Sequence, residues 1–133
     1  MKIVGLCGGS SSGKSTLSCG LKQYFKDNLN IITMDNYYIE HVEISYEERK
    51  FINYDVPQSI DSDQIISYIK MLKNGKNIVQ PYFSFKTLLN DHSKSVITKP
   101  ADILIVDGIF SLYYPELNSM MDLKVFIDNT IRY

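Results

Sequence analysis

Near the amino terminus, one short segment has the residue types of a phosphate-binding loop. The pattern G-x-x-x-x-G-K-S/T is satisfied by Gly8-Gly-Ser-Ser-Ser-Gly-Lys-Ser15. Its glycines let successive backbone N–H groups wrap an anion, and the N-terminus of a following helix points at the same oxygens. Lys14 would neutralise charge on the β- and γ-phosphates, while the Ser15 hydroxyl would be a ligand of Mg²⁺. We therefore predict that ATP and Mg²⁺ bind here, through Gly8, Gly9, Ser10, Ser11, Ser12, Gly13, Lys14, Ser15 and Thr16.

Two aspartates follow apolar segments where phosphoryl transfer needs carboxylates. Asp35 comes directly after residues 31–34, and a kinase of small hydroxyl compounds needs a carboxylate that accepts the hydroxyl proton. Asp107 ends a longer apolar run, where an acidic residue reaches the metal. We predict that Asp35 and Lys14 are catalytic and that Asp107 joins Ser15 as a metal ligand. The alternative for Asp35 is an ordinary turn residue after a strand.

The elements around the loop are predicted from the change in apolar periodicity. Residues 2–7 form a continuous apolar run, which is typical of a strand buried on both faces of a parallel sheet. From Lys14 to about Asp27 the apolar residues recur at helical spacing. A strand, a glycine-rich turn and a helix in this order separate a true phosphate-binding loop from a chance match. The alternative is a flexible Ser/Gly loop with an exposed lysine.

The rest of the chain alternates strands with helices. Further buried strands are predicted at residues 31–34, 101–107 and 123–127, the last of them before Asp128. A helix is predicted from Ser45 to about Phe51, and a longer one is capped by Asp61 and ends just before Gly75. Short strands are predicted at 77–80, 82–85 and 95–98, with a turn at 90–93. We predict one domain over residues 1–133, an α/β P-loop nucleoside triphosphate hydrolase fold: a doubly wound parallel sheet, helices on both faces and a small β-hairpin excursion.

The acceptor side separates the classes of nucleotide-binding protein. GTPases read guanine with an Asn-Lys-x-Asp element, and the sequence has none. The most similar string, Thr98-Lys-Pro-Ala-Asp102, has the wrong spacing and precedes a strand. A kinase of a small hydroxyl compound is therefore favoured over a GTPase switch.

Four motifs together resemble the uridine kinase and phosphoribulokinase group of P-loop kinases. They are Gly8-Gly-Ser-Ser-Ser-Gly-Lys-Ser-Thr16, Met34-Asp-Asn-Tyr-Tyr38, Asn53-Tyr-Asp-Val-Pro57 and Val106-Asp-Gly-Ile109, and they cover essentially the whole chain. The resemblance implies that Asp35 is the general base, that Tyr38 approaches a nucleobase and that Asp55 holds the ribose hydroxyls. From the residues alone, Asp55 could instead belong to an Asx turn, and Tyr37 and Tyr38 could cover the rim of the sheet.

The sequence departs from that group in the acceptor pocket. Uridine kinases carry a Pro-x-Tyr-Asp-x-x-x-His-x-Arg segment, whereas here Phe83, Ser84, Leu88 and Asn90 replace the tyrosine, aspartate, histidine and arginine. The resemblance thus places Phe83 at the acceptor. A pocket that loses its hydrogen-bonding groups loses discrimination, so uridine itself is not established by the resemblance.

The resemblance also implies an arginine-rich lid and a further strand after the fourth strand. Arg132 matches the first basic position after that strand, and the only other arginine is Arg49. We interpret the chain as truncated before the lid, and we expect weak or absent turnover from these residues. The alternative function is a non-catalytic nucleotide-binding remnant of the same fold.

Charge and composition exclude several other classes. The 14 basic and 15 acidic residues give a net charge of −1, so we expect no nucleic-acid partner and no membrane surface. Two cysteines, Cys7 and Cys19, indicate reduced thiols and a cytoplasmic protein. His41 and His92 lie in polar segments and are expected at the surface. A fourth strand with a free edge would favour a homo-oligomer.

Overall fold

A computed structural model describes residues 1–8 and 13–127 of the chain. Their helices and strands are, in order, β1 (Lys2–Cys7), α1 (Lys14–Phe25), β2 (Leu29–Thr33), α2 (Tyr46–Arg49), α3 (Ser62–Lys73), β3 (Ile78–Gln80), β4 (Phe83–Ser84), β5 (Leu89–Asn90), β6 (Val96–Thr98), β7 (Ile103–Asp107), α4 (Pro115–Ser119) and β8 (Leu123–Phe126). They form two compact units. The sheet unit is Met1–Thr33 with the chain from Pro100 onward, and the ribbon unit is Met34–Lys99. The prediction of one domain stays a prediction.

The sheet unit contains four parallel strands in the order β2-β7-β1-β8. Strand β7 lies between its two neighbours in such a register that Asp107 is level with Leu6 of β1 and Thr33 of β2. The carboxyl ends of these strands therefore meet at one edge of the sheet, which is where ligands bind in folds of this kind. The predicted α/β fold with a parallel central sheet is confirmed.

Opposite faces of the sheet are covered by different segments. On one face, Leu6, Leu29 and Ile105 are buried, with Leu21 and Phe25 of α1 packed against them. On the other face, a Cβ on Gly5 would lie 2.7 Å from the Leu112 side chain, in the segment that follows β7. Only glycine permits so close an approach at that point. Side chains of successive strand residues alternate between faces, so α1 and the segment of Leu112 lie on opposite sides.

The ribbon unit is built on α3, whose buried side chains are Ile65, Ile66, Ile69 and Leu72. The predicted caps are present: Asp61 Oδ1 accepts a hydrogen bond from Gln64 N at 3.1 Å, and Gly75 follows the helix with φ 77°. This positive φ allows Lys76 N to bond the carbonyl of Met71 at 2.9 Å, which closes the helix end.

The hairpin-like excursion differs from its prediction. Strand β3 pairs antiparallel with β6, and a second small hairpin of β4 and β5 lies between them in the chain. Asn90 was expected in a turn, but it pairs with Phe83 inside the second hairpin. The 82–85 strand is also shorter than predicted, because the chain turns back directly after Ser84, where Leu88 adopts φ 58°. Two-residue strands are too short for periodicity to reveal them.

Strand β2 lies earlier in the chain than the predicted 31–34. Helix α1 ends at Phe25, and a 3₁₀ turn over Lys26–Asn28 brings the chain directly into β2 at Leu29. Met34, expected in the strand, instead opens the 3₁₀ turn Met34–Asn36. Within residues 1–8 and 13–127, none of the helices has the length and apolarity that crossing a membrane requires.

Candidate functional site

An ion pair between Lys14 and Asp107 is the central polar contact of the sheet unit. Helix α1 begins at Lys14, and its Nζ lies 2.5 Å from Asp107 Oδ1 at the end of β7. Only 12% of the Lys14 side chain and 7% of the Asp107 side chain are exposed. The start of the helix and the end of the strand are therefore joined by a charge pair that is largely sheltered from water, where its interaction is stronger than at the surface.

The second oxygen of Asp107 is also bonded from α1. Ser18 Oγ donates to Asp107 Oδ2 at 3.3 Å, and Ser18 is itself buried. Ser18 is four residues after Lys14, so the two side chains lie on the same face of the helix. One face of α1 thus supplies a donor to each oxygen of the carboxylate.

The residue before α1 keeps the helix N-terminus open. Gly13 has φ 85°, and no heavy atom of the described residues would lie within 4 Å of a Cβ at this position. Glycine is therefore favoured by the backbone conformation and not by lack of space. Because Gly13 has no side chain, none caps the helix, and the first turn carries no acidic residue. The N–H groups of the first turn and the positive end of the helix dipole are features that favour an anion at this position.

Part of the predicted loop lies outside the described residues. This holds for Gly9, Ser10, Ser11 and Ser12, for the side chain of Ser15 and for Arg132. Of the other predicted ligands, Gly8 is buried directly after β1, and Thr16 is exposed in the first turn of α1. The phosphate-binding role of this segment stays a prediction, with Lys14 and Gly13 in geometries that fit it.

The donor atoms at this end of the sheet suit magnesium. Mg²⁺ prefers oxygen ligands and is usually held by one or two carboxylates, with the remaining positions filled by phosphate oxygens and water. Asp107 offers one such carboxylate beside Lys14. Among the residues that the structure describes, no three His, Cys, Asp or Glu side chains are grouped as a metal site. One carboxylate with phosphate oxygens and water is a ligand set that Mg²⁺ commonly takes, and Asp107 fits that set.

Asp35 lies in the ribbon unit, in the 3₁₀ turn that follows β2. Its carboxylate is exposed, and Oδ1 accepts a hydrogen bond from the Tyr38 hydroxyl at a long 3.4 Å. The turn itself is anchored, because Met34 is buried and Asn36 Oδ1 accepts from Phe83 N at 3.2 Å. An exposed carboxylate on an anchored turn is free to accept a proton from a ligand. Its position opposite the phosphate-binding loop stays a prediction.

Four rings of the ribbon unit form an aromatic cluster: Tyr38, Tyr54, Phe83 and Phe85. The Tyr38 ring lies 5.0 Å from Phe83 and 5.3 Å from Tyr54, in edge-to-face geometry. Phe83 lies 5.3 Å from Phe85. Phe83 is 1% exposed, whereas Phe85 is 63% exposed. The aromatic cluster is therefore closed on one side and open to a ligand on the other.

Asp55 is exposed beside the aromatic cluster. Its backbone N–H donates to Asn53 Oδ1 at 2.9 Å, and the Asn53 carbonyl accepts from Ser59 Oγ at 2.7 Å. The Asx turn considered from the sequence is thus closed by the Asn53 side chain. The Asp55 carboxylate is not used for the turn, and its role in holding hydroxyl groups stays a prediction.

Burial determines the chemistry of two tyrosines in this unit. Tyr37 is buried, and its hydroxyl donates to Gln80 Oε1 at 3.0 Å. Burial, with a smaller contribution from the Tyr68 phenol, raises the pKa of Tyr37 well above its usual range. Burial also raises the pKa of Tyr54, an effect that the Arg49 guanidinium partly opposes. Both phenols are neutral at physiological pH, and Tyr37 is a core residue and not a residue that covers the sheet rim.

Of the two histidines, His92 lies at the surface as the sequence predicts, whereas His41 is partly buried. His92 is exposed in a 3₁₀ turn, and the half-buried His41 has Nδ1 3.2 Å from Glu43 Oε1. The backbone hydrogen bond of Glu43, and then this contact, lower the pKa of Glu43. The His41 ring also lies 6.5 Å from Tyr54, at the edge of the aromatic cluster.

Sequence reasoning missed Ser18 and Phe85. Ser18 had a usable signal, because a polar residue four positions after Lys14 lies on the same helix face. Phe85 had a weaker signal: side chains alternate between the two faces of a strand, so Phe83 and Phe85, two residues apart, would lie on the same face. The chain turns after Ser84, so the contact between the two rings arises from the hairpin.

Comparison with known proteins adds independent evidence. The sequence model of the phosphoribulokinase / uridine kinase family matches residues 3–132. A uridine kinase of Chlamydia pneumoniae is 37% identical over 130 residues, which are 96% of this chain and 58% of that protein. A uridine kinase of Latilactobacillus sakei subsp. sakei (strain 23K) is 37% identical over 126 residues, with 95% and 59% covered. The chain thus spans about three-fifths of the length of these curated relatives.

Solved structures share the fold. A structure described as a possible uridine kinase from Bacillus stearothermophilus matches with a TM-score of 0.70 and 20% sequence identity. The match covers 97% of this chain and 71% of that one. A D-glycerate 3-kinase from Cryptococcus neoformans var. grubii serotype A has a TM-score of 0.57 at 20% identity, with 86% and 44% covered. With the family model matching nearly all of the sequence, the conclusion is that this chain belongs to the phosphoribulokinase / uridine kinase family.

Proposed function

We propose that this chain is an ATP-dependent kinase that transfers a phosphoryl group to a hydroxyl of a nucleoside-like small molecule, in the manner of a uridine kinase. The observation that carries the proposal is the sheltered ion pair of Lys14 and Asp107 beside the open N-terminus of α1. A lysine and a carboxylate joined there are the groups that nucleotide and metal binding require. The family membership of the chain supports the same activity.

At the donor end, the amides of Gly13, Lys14 and Ser15 bind the phosphates of ATP. Lys14 contributes a positive charge to the β- and γ-phosphates, as the lysine of phosphate-binding loops does. Asp107 and the Ser15 hydroxyl hold Mg²⁺, which supplies charge neutralisation on the transferring group when it is bound. None of these residues needs to change its chemical state during the reaction.

At the acceptor end, Asp35 is the general base. It takes the proton of the acceptor hydroxyl while that oxygen forms a bond to the γ-phosphorus, and the bond between this phosphorus and the bridging oxygen breaks to release ADP. The Tyr38 hydroxyl holds Asp35 Oδ1 in the exposed turn. Asp55 accepts hydrogen bonds from the remaining hydroxyls of the acceptor.

The aromatic cluster sets the class of acceptor. Tyr38 and the exposed Phe85 offer ring surfaces, whereas Phe83 is buried, and a planar base has a π-face that stacks on such rings. The names of the curated relatives support a nucleoside, since both proteins are called uridine kinase. The apolar Phe83 and Leu88 stand where that group has polar residues, so the acceptor is assigned as nucleoside-like and not as uridine.

A panel of acceptors tests the function. Purified chain is incubated with Mg²⁺ and ATP, alone or with uridine, cytidine, ribulose 5-phosphate or pantothenate, and ADP is measured together with the phosphorylated product. The Chlamydia pneumoniae uridine kinase serves as the positive control. We expect ADP to form at a low rate and only when a nucleoside is present. The rate with GTP in place of ATP gives the preference for the phosphate donor.

Other outcomes would indicate other functions. A shift of the melting temperature by Mg-ATP without any acceptor dependence would indicate the non-catalytic nucleotide-binding remnant. Phosphate release that needs no acceptor and is abolished by Lys14→Ala would indicate an ATPase. If ribulose 5-phosphate were the one acceptor that gave product, the kinase activity would be supported and the nucleoside-like acceptor would be contradicted.

Self-association through β8 is a separate part of the proposal. β8 is an edge strand of the described sheet, and Leu123 and Phe126 are 56% and 68% exposed. Exposed strand edges pair readily with a second chain. Analytical ultracentrifugation should show a homodimer that Lys124→Pro dissociates. Ile127 N bonds Cys7 O of β1, and alternate residues of a strand face the same neighbour, so the N–H that proline removes at position 124 faces the free edge. A monomer at all concentrations would contradict self-association and leave the kinase proposal intact.

A further inference from the structure

We propose that Ser18 is a positioning residue, which fixes the carboxylate of Asp107 for the metal–nucleotide complex. The proposal rests on the proposed binding of Mg-ATP at the start of α1. It concerns a residue outside the phosphate-binding motif, whose last position is Thr16.

The geometry around Asp107 divides its two oxygens between two donors. Oδ1 is paired with Lys14 Nζ, and Oδ2 accepts from Ser18 Oγ at 3.3 Å. Ser18 is 3% exposed and Asp107 is 6% exposed. A carboxylate this deeply buried depends on its bonded partners, because water cannot replace them freely.

Only one of these two donors can stay unchanged when ATP binds. Lys14 has a second task, since the phosphates that it must contact carry several negative charges and attract its ammonium group. As Lys14 turns toward the phosphates, Asp107 Oδ1 loses part of the positive charge and the hydrogen bond that Lys14 provided. The Ser18 hydroxyl has no such second task and keeps Oδ2 in place. The freed oxygen of Asp107 is then presented in a fixed direction.

The choice of residue at position 18 also favours this role. Serine is a weaker helix former than alanine, and a buried hydroxyl needs a partner. In the interior of a helix, a serine commonly bonds the carbonyl of the preceding turn. Here Ser18 Oγ donates to Asp107 instead. The hydroxyl therefore connects α1 to β7, which an alanine of nearly the same size could not do.

Binding of ATP with and without metal tests the proposal. Titration calorimetry gives the dissociation constant of ATP in Mg²⁺ and in EDTA for the wild type, Ser18→Ala and Ser18→Thr. We expect Ser18→Ala to bind ATP in EDTA with an affinity within about twofold of the wild type. The increase in ATP affinity that Mg²⁺ provides should be about tenfold smaller than in the wild type, which is typical when a partner of a metal ligand is removed. Ser18→Thr retains a hydroxyl and should keep most of the gain.

Cys19→Ala is the matched control, because Cys19 is the next residue of α1 and is exposed. It should leave both constants unchanged. If Ser18→Ala proves unfolded by circular dichroism, Ser18→Cys replaces it, since a thiol has similar size and is a weak donor. If a folded variant without the hydroxyl kept the wild-type increase in ATP affinity from Mg²⁺, the proposed role of Ser18 would be overturned. Loss of folding in both Ser18→Ala and Ser18→Cys would also overturn it, because Ser18 would then be a core residue. A wild type that binds no Mg-ATP would instead contradict the proposed function.

Discussion

The donor end of the sheet unit and the aromatic cluster of the ribbon unit are built in opposite ways. At the donor end, Asp107 is buried and each of its oxygens has a donor, from Lys14 and Ser18. In the aromatic cluster, the contacts are between ring edges and faces, and the nearby carboxylate of Asp35 is exposed with one long hydrogen bond. Charge therefore organises one region, and ring shape organises the other.

This difference indicates where the chain can vary. A buried ion pair tolerates little change, because removal of one partner leaves the other charge unpaired. Rings that pack by shape tolerate exchange of one apolar side chain for another at modest cost. We therefore expect single substitutions at the donor end to have large effects, and those in the aromatic cluster to change acceptor preference more gently.

The largest effect is expected for Lys14→Ala. It removes the charge that we propose for phosphate binding, and it leaves Asp107 buried with the Ser18 bond alone. Turnover should fall about 10³-fold, and the free energy of unfolding by about 3 kcal/mol. Urea unfolding and product formation measure the two losses, and Lys73→Ala at the exposed end of α3 is the control. Wild-type stability for Lys14→Ala would contradict the view that the ion pair organises this region.

Asp35→Asn should have the next largest effect, on turnover alone. The amide cannot accept the hydroxyl proton, so turnover should fall about 10²-fold or more. Because Asp35 is exposed, the Asp35→Asn variant should keep a free energy of unfolding and an ATP affinity near those of the wild type. Calorimetry with ATP and product assays separate the two, and Asp63→Asn in the first turn of α3 is the matched control. Loss of ATP binding in Asp35→Asn would assign this carboxylate to the metal instead.

A smaller effect on catalysis is expected in the aromatic cluster, where two rings allow a direct contrast. Phe85 is largely exposed and Phe83 is buried. Phe85→Ala should raise the acceptor KM about tenfold through the loss of stacking, with kcat, the KM for ATP and the melting temperature little changed. Phe83→Ala should destabilise the fold by about 3 kcal/mol, because it leaves a cavity. Equal melting temperatures for the two variants would contradict this division of roles.

The parallel sheet was predictable because its strands are continuous apolar runs. Asp107 was placed at a strand end on the same grounds, and the contact with Lys14 follows from the strand order. The small hairpin of β4 and β5 was not predictable, since two-residue strands carry no periodicity and the pairing of Phe83 with Asn90 is not local. Sequence patterns thus located charges at strand ends better than they located rings in loops.

The surroundings of Asp35 could be inferred only in part. The type of Asp35 and its place after a strand were readable from the sequence. Its hydrogen bond to Tyr38 depends on the 3₁₀ turn Met34–Asn36, and the expected strand extended over Met34. A turn of this kind depends on tertiary contacts such as the bond from Phe83 N to Asn36, which no local pattern encodes.

The smallest expected effect is on the pH dependence of stability, to which one buried tyrosine in each unit contributes. Burial raises the pKa of Tyr37 in the ribbon unit well above its usual range, and raises that of Tyr114 in the sheet unit to about 12. Above pH about 10 the unfolded phenols ionise while the folded ones stay neutral. The folded state then binds more protons, so stability falls as pH rises, by about 1.4 kcal/mol per pH unit for each such phenol.

Tyr37→Phe should remove one of these contributions. At pH 8 the variant should be about 1 kcal/mol less stable than wild type, because Gln80 loses the hydrogen bond from the Tyr37 hydroxyl. By pH 11 this deficit should disappear, since phenylalanine has no proton to lose in the unfolded state. Tyr114→Phe, the matched change in the sheet unit, should flatten the profile over the narrower range that ends near pH 12. Urea midpoints from pH 8 to pH 11 measure both, and a Tyr37→Phe deficit that is constant with pH would show that the buried phenol does not stay protonated in the folded chain.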